Sequence, residues 1–231
     1  MMKIKTLGVL FVVAALSVLT GCTTVNIDHV QLAKKINLNE GDEVVILGRH
    51  HSAEFETEPS LVECVGRRVQ AANSSITVIP EAEFLDGFYP YFEPRTAPLH
   101  PKRLAEIFSV PVVAQKLQTM DLRYVIWIEG STERTGSGGS MSCTLTPAGG
   151  GCFGFGTWED TSDYEAIIWN ARTYSEAARV STDAVGTTYM PAFVIPVPLV
   201  AQVQKNACQG MSAQLAKFLS GESSALKVVD K

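Results

Sequence analysis

Two apolar runs separated by an amphipathic segment are the feature that most constrains the fold of this chain. The segment Glu43–Leu47 is almost continuously apolar, as in a strand that is buried on both faces. Residues 59–72 carry apolar side chains three and four positions apart and have Pro59 in the first turn, which predicts a helix. Ile76–Pro80 is a second apolar run. A strand, a helix and a strand in this order predict a sheet that begins with parallel strands.

The downstream sequence predicts one helical region, a meander of strands and a last helix. Residues 101–120 are predicted to be helical, with a break at Pro111. Arg123–Gly130 is the strongest strand candidate. Further strands are expected over 153–158, 164–170 and 177–183, and a final helix over 201–219. We expect a Gly/Ser/Thr-rich loop over 132–151 and an edge strand or crossing loop over 186–198.

These elements predict an α/β protein with a single mixed sheet, in the order β-α-β-α-β followed by an antiparallel meander and a C-terminal helix. The expected organisation is a signal peptide over 1–21, a membrane tether over 22–40, one periplasmic domain over 41–220 and a flexible tail over 221–231. Between the early elements, residues 84–92 hold five aromatic side chains. We expect them to cap the core, the alternative being an exposed set of anchors for a partner.

The amino terminus indicates export and lipid attachment. A short basic start with Lys3 and Lys5 is followed by an apolar run that is shorter than the about 20 residues a membrane span needs. The run ends in Leu19-Thr20-Gly21-Cys22, which resembles the bacterial lipobox. That resemblance implies cleavage before Cys22, acylation of this cysteine and, because residue 23 is Thr and not Asp, sorting to the outer membrane, facing the periplasm. An ordinary secretory signal that happens to end near a cysteine is the alternative.

The charge balance disfavours nucleic acid as a partner. The formal net charge is −5, and removal of residues 1–21 makes the mature chain more acidic still, because it removes Lys3 and Lys5 but no acid. An acidic surface repels phosphate backbones and anionic headgroups. We therefore expect contact with the membrane through the N-terminal lipid.

The cysteines that remain after lipidation predict two disulfides. Cys143 and Cys152 flank a Pro/Gly-rich segment that must turn, and Cys64 and Cys208 lie on two predicted helices. Free buried thiols are the alternative. A zinc site is disfavoured, because no Cys-x-x-Cys pair is present.

Three stretches carry a resemblance to known proteins: YVIWIEGSTERT, CFGFGTWEDTSDYEAIIWNAR and GTTYMPAFVIPVPLVAQVQKNAC. They resemble a family of proteobacterial outer-membrane lipoproteins with no assigned activity, over residues 40–220. The predicted architecture is also similar to the small periplasmic α/β domains of the Tol translocation protein (its amino-terminal domain), the penicillin-binding-protein activator lipoproteins and the curli-secretion lipoprotein. A likeness of fold implies no function.

The best candidate ligand site comprises Arg49, His50, His51 and Glu54, after the first strand and before the first helix. Ligands bind at the carboxyl ends of strands in open α/β sheets, and imidazoles beside carboxylates bind metals or exchange protons. Adjacent histidines on an extended segment point to opposite sides, however, so a solvated loop with one structural histidine is the favoured interpretation.

No catalytic residue is predicted. The glycine-rich segment 136–140 lacks the Gly-Lys-Ser/Thr of a phosphate loop, and no Gly-x-Ser-x-Gly occurs at a strand-to-helix junction. Acidic side chains between 129 and 165 are expected to form either a functional rim or a solubilising surface. We therefore predict a lipid-anchored periplasmic adaptor that binds another envelope protein without catalysis or a cofactor. The alternative is a lipoprotein that binds a small ligand or a metal through residues 49–58.

Overall fold

The computed structural model describes residues 23–30, 38–50, 56–147, 149–196 and 199–221. The strands are β1 (Thr23–Val30), β2 (Glu43–Gly48), β3 (Thr77–Ile79), β4 (Leu122–Thr146), β5 (Gly149–Asn170) and β6 (Ser175–Pro196). The helices are α1 (Pro59–Ala72), α2 (Glu81–Gly87), α3 (Leu104–Phe108), α4 (Pro111–Gln118) and α5 (Val203–Leu219), and a short 3-10 helix covers Pro101–Arg103.

The strands form one mixed sheet in the order β1-β6-β5-β4-β2-β3. Strand β2 pairs in parallel with β3 on one side and with β4 on the other. Short turns join β4 to β5 and β5 to β6. These neighbouring strands run antiparallel, with side-chain contacts between Thr135 and Thr161 and between Glu165 and Arg179. The predicted α/β class, with a parallel start and an antiparallel meander, is therefore confirmed.

Strand β2 is covered on both faces, which explains its continuous apolar sequence. Val45 and Leu47 belong to a core cluster with the β4 residues Val125 and Trp127. The alternate residue Ile46 is also buried, on the face on which α1 packs. Helix α1 has the predicted bounds, and its residues at spacings of three and four are all buried: Leu61, Val62, Val65 and Val69. Helix α5 packs near β4, where the rings of Tyr124 and Phe218 lie 6.4 Å apart.

The aromatic residues after β3 cap this core, as predicted. Phe84, Phe88 and Phe92 are buried, with ring centroids 4.4 to 6.4 Å apart. Tyr89 is exposed. The predicted break at Pro111 is also confirmed, because α3 ends at Phe108 and Pro111 begins α4. A proline at the first helical position loses no hydrogen bond.

The meander strands are much longer than the sequence predicts. Residues 132–151 were expected to be a loop, but they continue β4 and begin β5 around a turn at Pro147. Glycine lowers the strand propensity of this segment, yet the paired backbone requires it. Gly139 (φ +101°) and Gly154 (φ +133°) approach the opposite strand so closely that a Cβ would overlap the carbonyl oxygens of Phe155 and Ser140. These glycines permit a long hairpin, of which the sequence predicts only the turn between Cys143 and Cys152.

Two further segments differ from the prediction. Most of 186–198 belongs to β6, which runs to Pro196, and Tyr189 forms an antiparallel bridge with Leu199 where the chain folds back. Residues 23–30, predicted to lie in the tether, form β1 beside β6. Polar sequence without periodicity gave no sign of this strand, because an edge strand gains much of its stability from pairing with its neighbour.

The described residues divide into two compact units, and the single domain expected over 41–220 stays a prediction. The hairpin unit contains Thr23–Thr24, Glu133–Thr161 and Val185–Val203. The α/β unit contains the described residues of Val25–Thr132, Ser162–Ala184 and Gln204–Lys231. The domain boundaries at 22, 41 and 221 stay predictions.

Candidate functional site

The segment that follows β2 lies in the α/β unit, at the carboxyl ends of parallel strands. His50 lies between two carboxylates: its Nε2 is 3.0 Å from Oε1 of Glu81, and its Nδ1 is 3.5 Å from Oε1 of Glu56. The same Glu81 oxygen accepts a hydrogen bond of 2.6 Å from the amide of Gly48. The hydrogen bond to Glu81 raises the pKa of His50, burial opposes this effect, and Glu56 adds to it. The two carboxylates therefore favour the protonated form of the His50 ring.

Both described ends of this loop are fixed to strand β4. The amide of Arg49 donates to the carbonyl of Ile128 at 3.0 Å, and the Thr57 hydroxyl donates to the same carbonyl at 3.1 Å. The guanidinium of Arg49 lies 3.8 Å from the carboxylate of Glu129. The predicted site residues His51 and Glu54 lie outside the described residues. Among those described, Arg49 and His50 come together with Glu56, Glu81 and Glu129.

A second polar network, which sequence reasoning missed, ties the start of α1 to strands β4 and β5. Glu58 accepts hydrogen bonds from the amide of Thr132 at 2.8 Å and from the hydroxyl of Tyr164 at 2.9 Å. The Thr132 hydroxyl lies 2.7 Å from that of Tyr164 and 2.6 Å from that of Ser162. Burial raises the pKa of Tyr164 well above its usual value, and the charge on Glu58 contributes. The phenol therefore stays protonated and serves as a donor.

These two networks have a structural role. Their central side chains, His50 and Glu58, are already bonded to other side chains or to the backbone. Within the described ranges, no three His, Cys, Asp or Glu side chains are grouped so that they could hold a metal ion. The acidic residues expected to form a rim are largely paired, as in Arg134 with Asp160 and Arg179 with Glu165. The contacts restrain Arg49, His50 and Thr57, the described residues at the two ends of the loop after β2.

An apolar groove lies beside the edge strand β3, in the same α/β unit. Its cavity volume is about 570 Å³, which falls in the range of about 300–1,000 Å³ for binding pockets. We call it the α1–β3 groove. It is lined by Ile46, Pro59, Val62, Glu63, Gly66, Arg67, Gln70, Ala71, Val78, Ile79, Pro80, Glu81 and Ala82.

Several polar groups of the groove have partners within the protein. The amide of Gln70 donates to the carbonyl of Ile76 at 3.0 Å, and its oxygen accepts from the amide of Val78 at 2.7 Å. This side chain therefore replaces a neighbouring strand at the edge of β3. Glu63 and Arg67 form an exposed ion pair with an N–O distance of 3.3 Å. The groove presents an apolar floor with a charged rim, and sequence reasoning missed it because its lining comes from four separate elements.

The structure contains both disulfides that were expected. Cys64 of α1 is bonded to Cys208 of α5, with Cα atoms 6.3 Å apart. Cys143 is bonded to Cys152 across the β4–β5 hairpin, with Cα atoms 4.0 Å apart. The predicted lipidation site, Cys22, lies outside the described residues. No helix in the described part of the chain is both long enough and apolar enough to cross a membrane.

Comparisons with known proteins give weak structural matches. No family model and no curated protein matches the chain. The solved structures that resemble it include a variant of the PelC dodecamer from Paraburkholderia phytofirmans, with 11% identity over 86% of this chain and 99% of that chain, at a TM-score of 0.36. A second structure of that dodecamer has 12% identity over 86% of this chain and 98% of that chain, at 0.35.

A third match is the lipoprotein GNA1162 from Neisseria meningitidis. It is 11% identical over 76% of this chain and 99% of that chain, at a TM-score of 0.31. Similarity at this level carries no argument about function. The expected likeness to the Tol, penicillin-binding-protein activator and curli-secretion domains stays a prediction.

Proposed function

We propose that this protein is an accessory lipoprotein of the bacterial cell envelope that binds another envelope protein without catalysis. In this proposal Cys22 is acylated and holds the protein at the outer membrane, facing the periplasm. The lipobox-like sequence at 19–22 and two disulfides support export to an oxidising compartment.

The observation that carries the binding role is the α1–β3 groove. Its floor is apolar, and Gln70 already pairs with the carbonyl of Ile76 and the amide of Val78 at its edge, so an apolar segment of a partner could fill it without unpairing these two groups. The rim carries charges of both signs on Glu63 and Arg67, which suits the polar rim of a protein interface.

The histidine network supports this function over the alternative of a ligand or metal site at residues 49–58. A metal ligand must offer an unprotonated nitrogen, and both nitrogens of His50 face carboxylates that favour its protonated form. The alternative is therefore not favoured. Metal analysis of the purified mature chain would revive it only if bound metal disappeared in a His50→Ala, His51→Ala variant.

Site-specific photo-crosslinking in the native envelope tests the proposal. A photoreactive amino acid replaces Arg67, which lines the groove, or its neighbour Arg68, which is exposed but does not line it. We expect a discrete protein adduct from position 67 and none from position 68. In the Gly66→Leu background, whose new side chain fills the groove, the adduct from position 67 should disappear. Equal adducts from both positions, or an adduct unchanged by Gly66→Leu, would contradict the proposal.

A further inference from the structure

The hairpin unit carries a surface without charge that neither the groove nor the polar networks use. No residue of 136–158 or 184–204 is Asp, Glu, Lys, Arg or His, although 19% of the whole chain is charged. The charged residues of the unit's segments 133–161 and 185–203 are Glu133, Arg134, Glu159 and Asp160, which all lie at the ends of 133–161. Charge is therefore excluded from the β4–β5 turn and the residues around it.

Large apolar side chains are exposed on this uncharged part. Leu145 is 92% exposed, Phe153 is 62% exposed and Phe155 is 51% exposed. The disulfide between Cys143 and Cys152 joins the two strands that carry them. Several exposed apolar groups on a braced hairpin, with no charge among them, indicate a surface that is covered when the protein functions.

The position of β1 indicates what covers it. Strand β1 begins at Thr23, the residue directly after Cys22, and Thr23 and Thr24 belong to the hairpin unit. Consecutive Cα atoms are about 3.8 Å apart. Acyl chains on Cys22 would therefore be attached one residue along the chain from this unit. This step rests on the proposed lipid anchor.

We infer that the uncharged surface of the hairpin unit lies in the interface of the phospholipid bilayer, with Leu145, Phe153 and Phe155 at the boundary between headgroups and acyl chains. Leucine and phenylalanine gain from leaving water, and a surface without ionised groups avoids the cost of placing charge in a bilayer. Arg134 lies 5.0 Å from the ring of Trp158, where charged residues begin, as expected at the polar limit of a membrane interface. The acyl chains attach the protein, and this surface fixes its orientation.

Vesicle flotation tests the inference independently of the anchor. The mature chain from residue 22, with Cys22→Ser so that it carries no lipid, is mixed with vesicles of phosphatidylcholine. We expect it to float with the vesicles, with little change on addition of salt, because no charge contributes. The Phe153→Ser, Phe155→Ser variant should bind vesicles about tenfold or more weakly. A tenfold change in affinity corresponds to about 1.4 kcal/mol, and transfer of a phenylalanine side chain out of water releases more free energy than that. Val112→Ser, at an equally exposed apolar position of the α/β unit, should bind like the parent chain.

Quenching by brominated lipid locates the contact. Tryptophan fluorescence of a Phe153→Trp variant should fall on binding to vesicles with brominated acyl chains, whereas that of a Val112→Trp variant should not. A folded parent chain that stays with the aqueous fraction would overturn the inference, as would equal loss of binding in the Val112→Ser variant. Absence of flotation together with a protein adduct at position 153 in the native envelope would assign the surface to a protein partner. Failure of acylation at Cys22 would leave these results unchanged and would contradict the anchor alone.

Discussion

At the scale of single residues, the two carboxylates beside His50 predict how stability depends on pH. Its contacts with Glu81 and Glu56 stabilise the protonated ring. The folded state therefore has a higher pKa at this position than the unfolded chain. The stabilisation that this group contributes is complete below the unfolded pKa of about 6.5 and is lost as the pH rises through the folded value.

This pH dependence of stability gives a prediction for His50→Gln. The variant should unfold about 1 kcal/mol more easily than the parent at a pH of about 6, because charge-assisted hydrogen bonds of partly exposed groups have this magnitude. At a pH of about 9 the difference should be much smaller. Urea unfolding of both proteins across this range is the measurement. A difference that grows with pH would show that His50 does not act as the cation.

Only part of this site could be predicted from sequence. The position of Arg49 and His50 at the end of a strand follows from the apolar run before them. Their acidic partner Glu81 lies far along the chain and was assigned to no site, because its approach to His50 depends on the parallel pairing of β2 with β3. Tyr164 was placed on a strand, but its bond to Glu58 depends on the tertiary fold.

At the scale of elements, glycine marks the difference between what sequence could and could not predict. Helix α1 was predicted with its observed bounds, since its apolar spacing and Pro59 act locally. The turn between Cys143 and Cys152 was predicted, but the length of the β4–β5 hairpin was missed, since its glycines depress strand propensity and their necessity appears only when the opposite strand is in place. Local sequence signals identified helix α1, whereas long-range strand pairing determined the extent of the β4–β5 hairpin.

The same contrast predicts opposite effects of two alanine substitutions. In Gly66→Ala, the new Cβ lies 3.9 Å from Cγ1 of Val78, an ordinary contact. We expect this helix to gain about 0.5–1 kcal/mol in stability. In Gly139→Ala, the Cβ would overlap the carbonyl oxygen of Phe155 at a positive φ, so we expect a loss of at least about 1 kcal/mol. Thermal unfolding of the two variants, monitored by circular dichroism, is the measurement. Equal shifts in Tm for Gly66→Ala and Gly139→Ala would contradict the strained geometry at Gly139.

At the scale of the whole molecule, the two disulfides close loops of very different length. Cys64 and Cys208 are 144 positions apart, whereas Cys143 and Cys152 are nine apart. In the chain-entropy description, a longer closed loop restricts the unfolded state more. The long-range disulfide should therefore contribute more to stability, about 5 kcal/mol against about 2.5 kcal/mol.

This difference is measurable by removing each disulfide separately. A Cys64→Ala, Cys208→Ala variant should have the lower free energy of unfolding, and a Cys143→Ala, Cys152→Ala variant should lose less. Because the second variant keeps the α1–α5 disulfide, the α/β unit should keep its near-ultraviolet circular dichroism spectrum. A larger loss of unfolding free energy on removal of the Cys143–Cys152 disulfide would contradict the greater contribution predicted for the Cys64–Cys208 disulfide.

The role proposed for the whole molecule depends on its attachment to a membrane through one residue. Mass spectrometry of the mature amino terminus, on protein purified from native membranes, tests this most directly. We predict an amino-terminal peptide that begins at Cys22 and carries the added mass of a diacylglyceryl group and an amide-linked acyl chain. An unmodified Cys22 in that peptide, or a mature chain that begins elsewhere, would contradict the account.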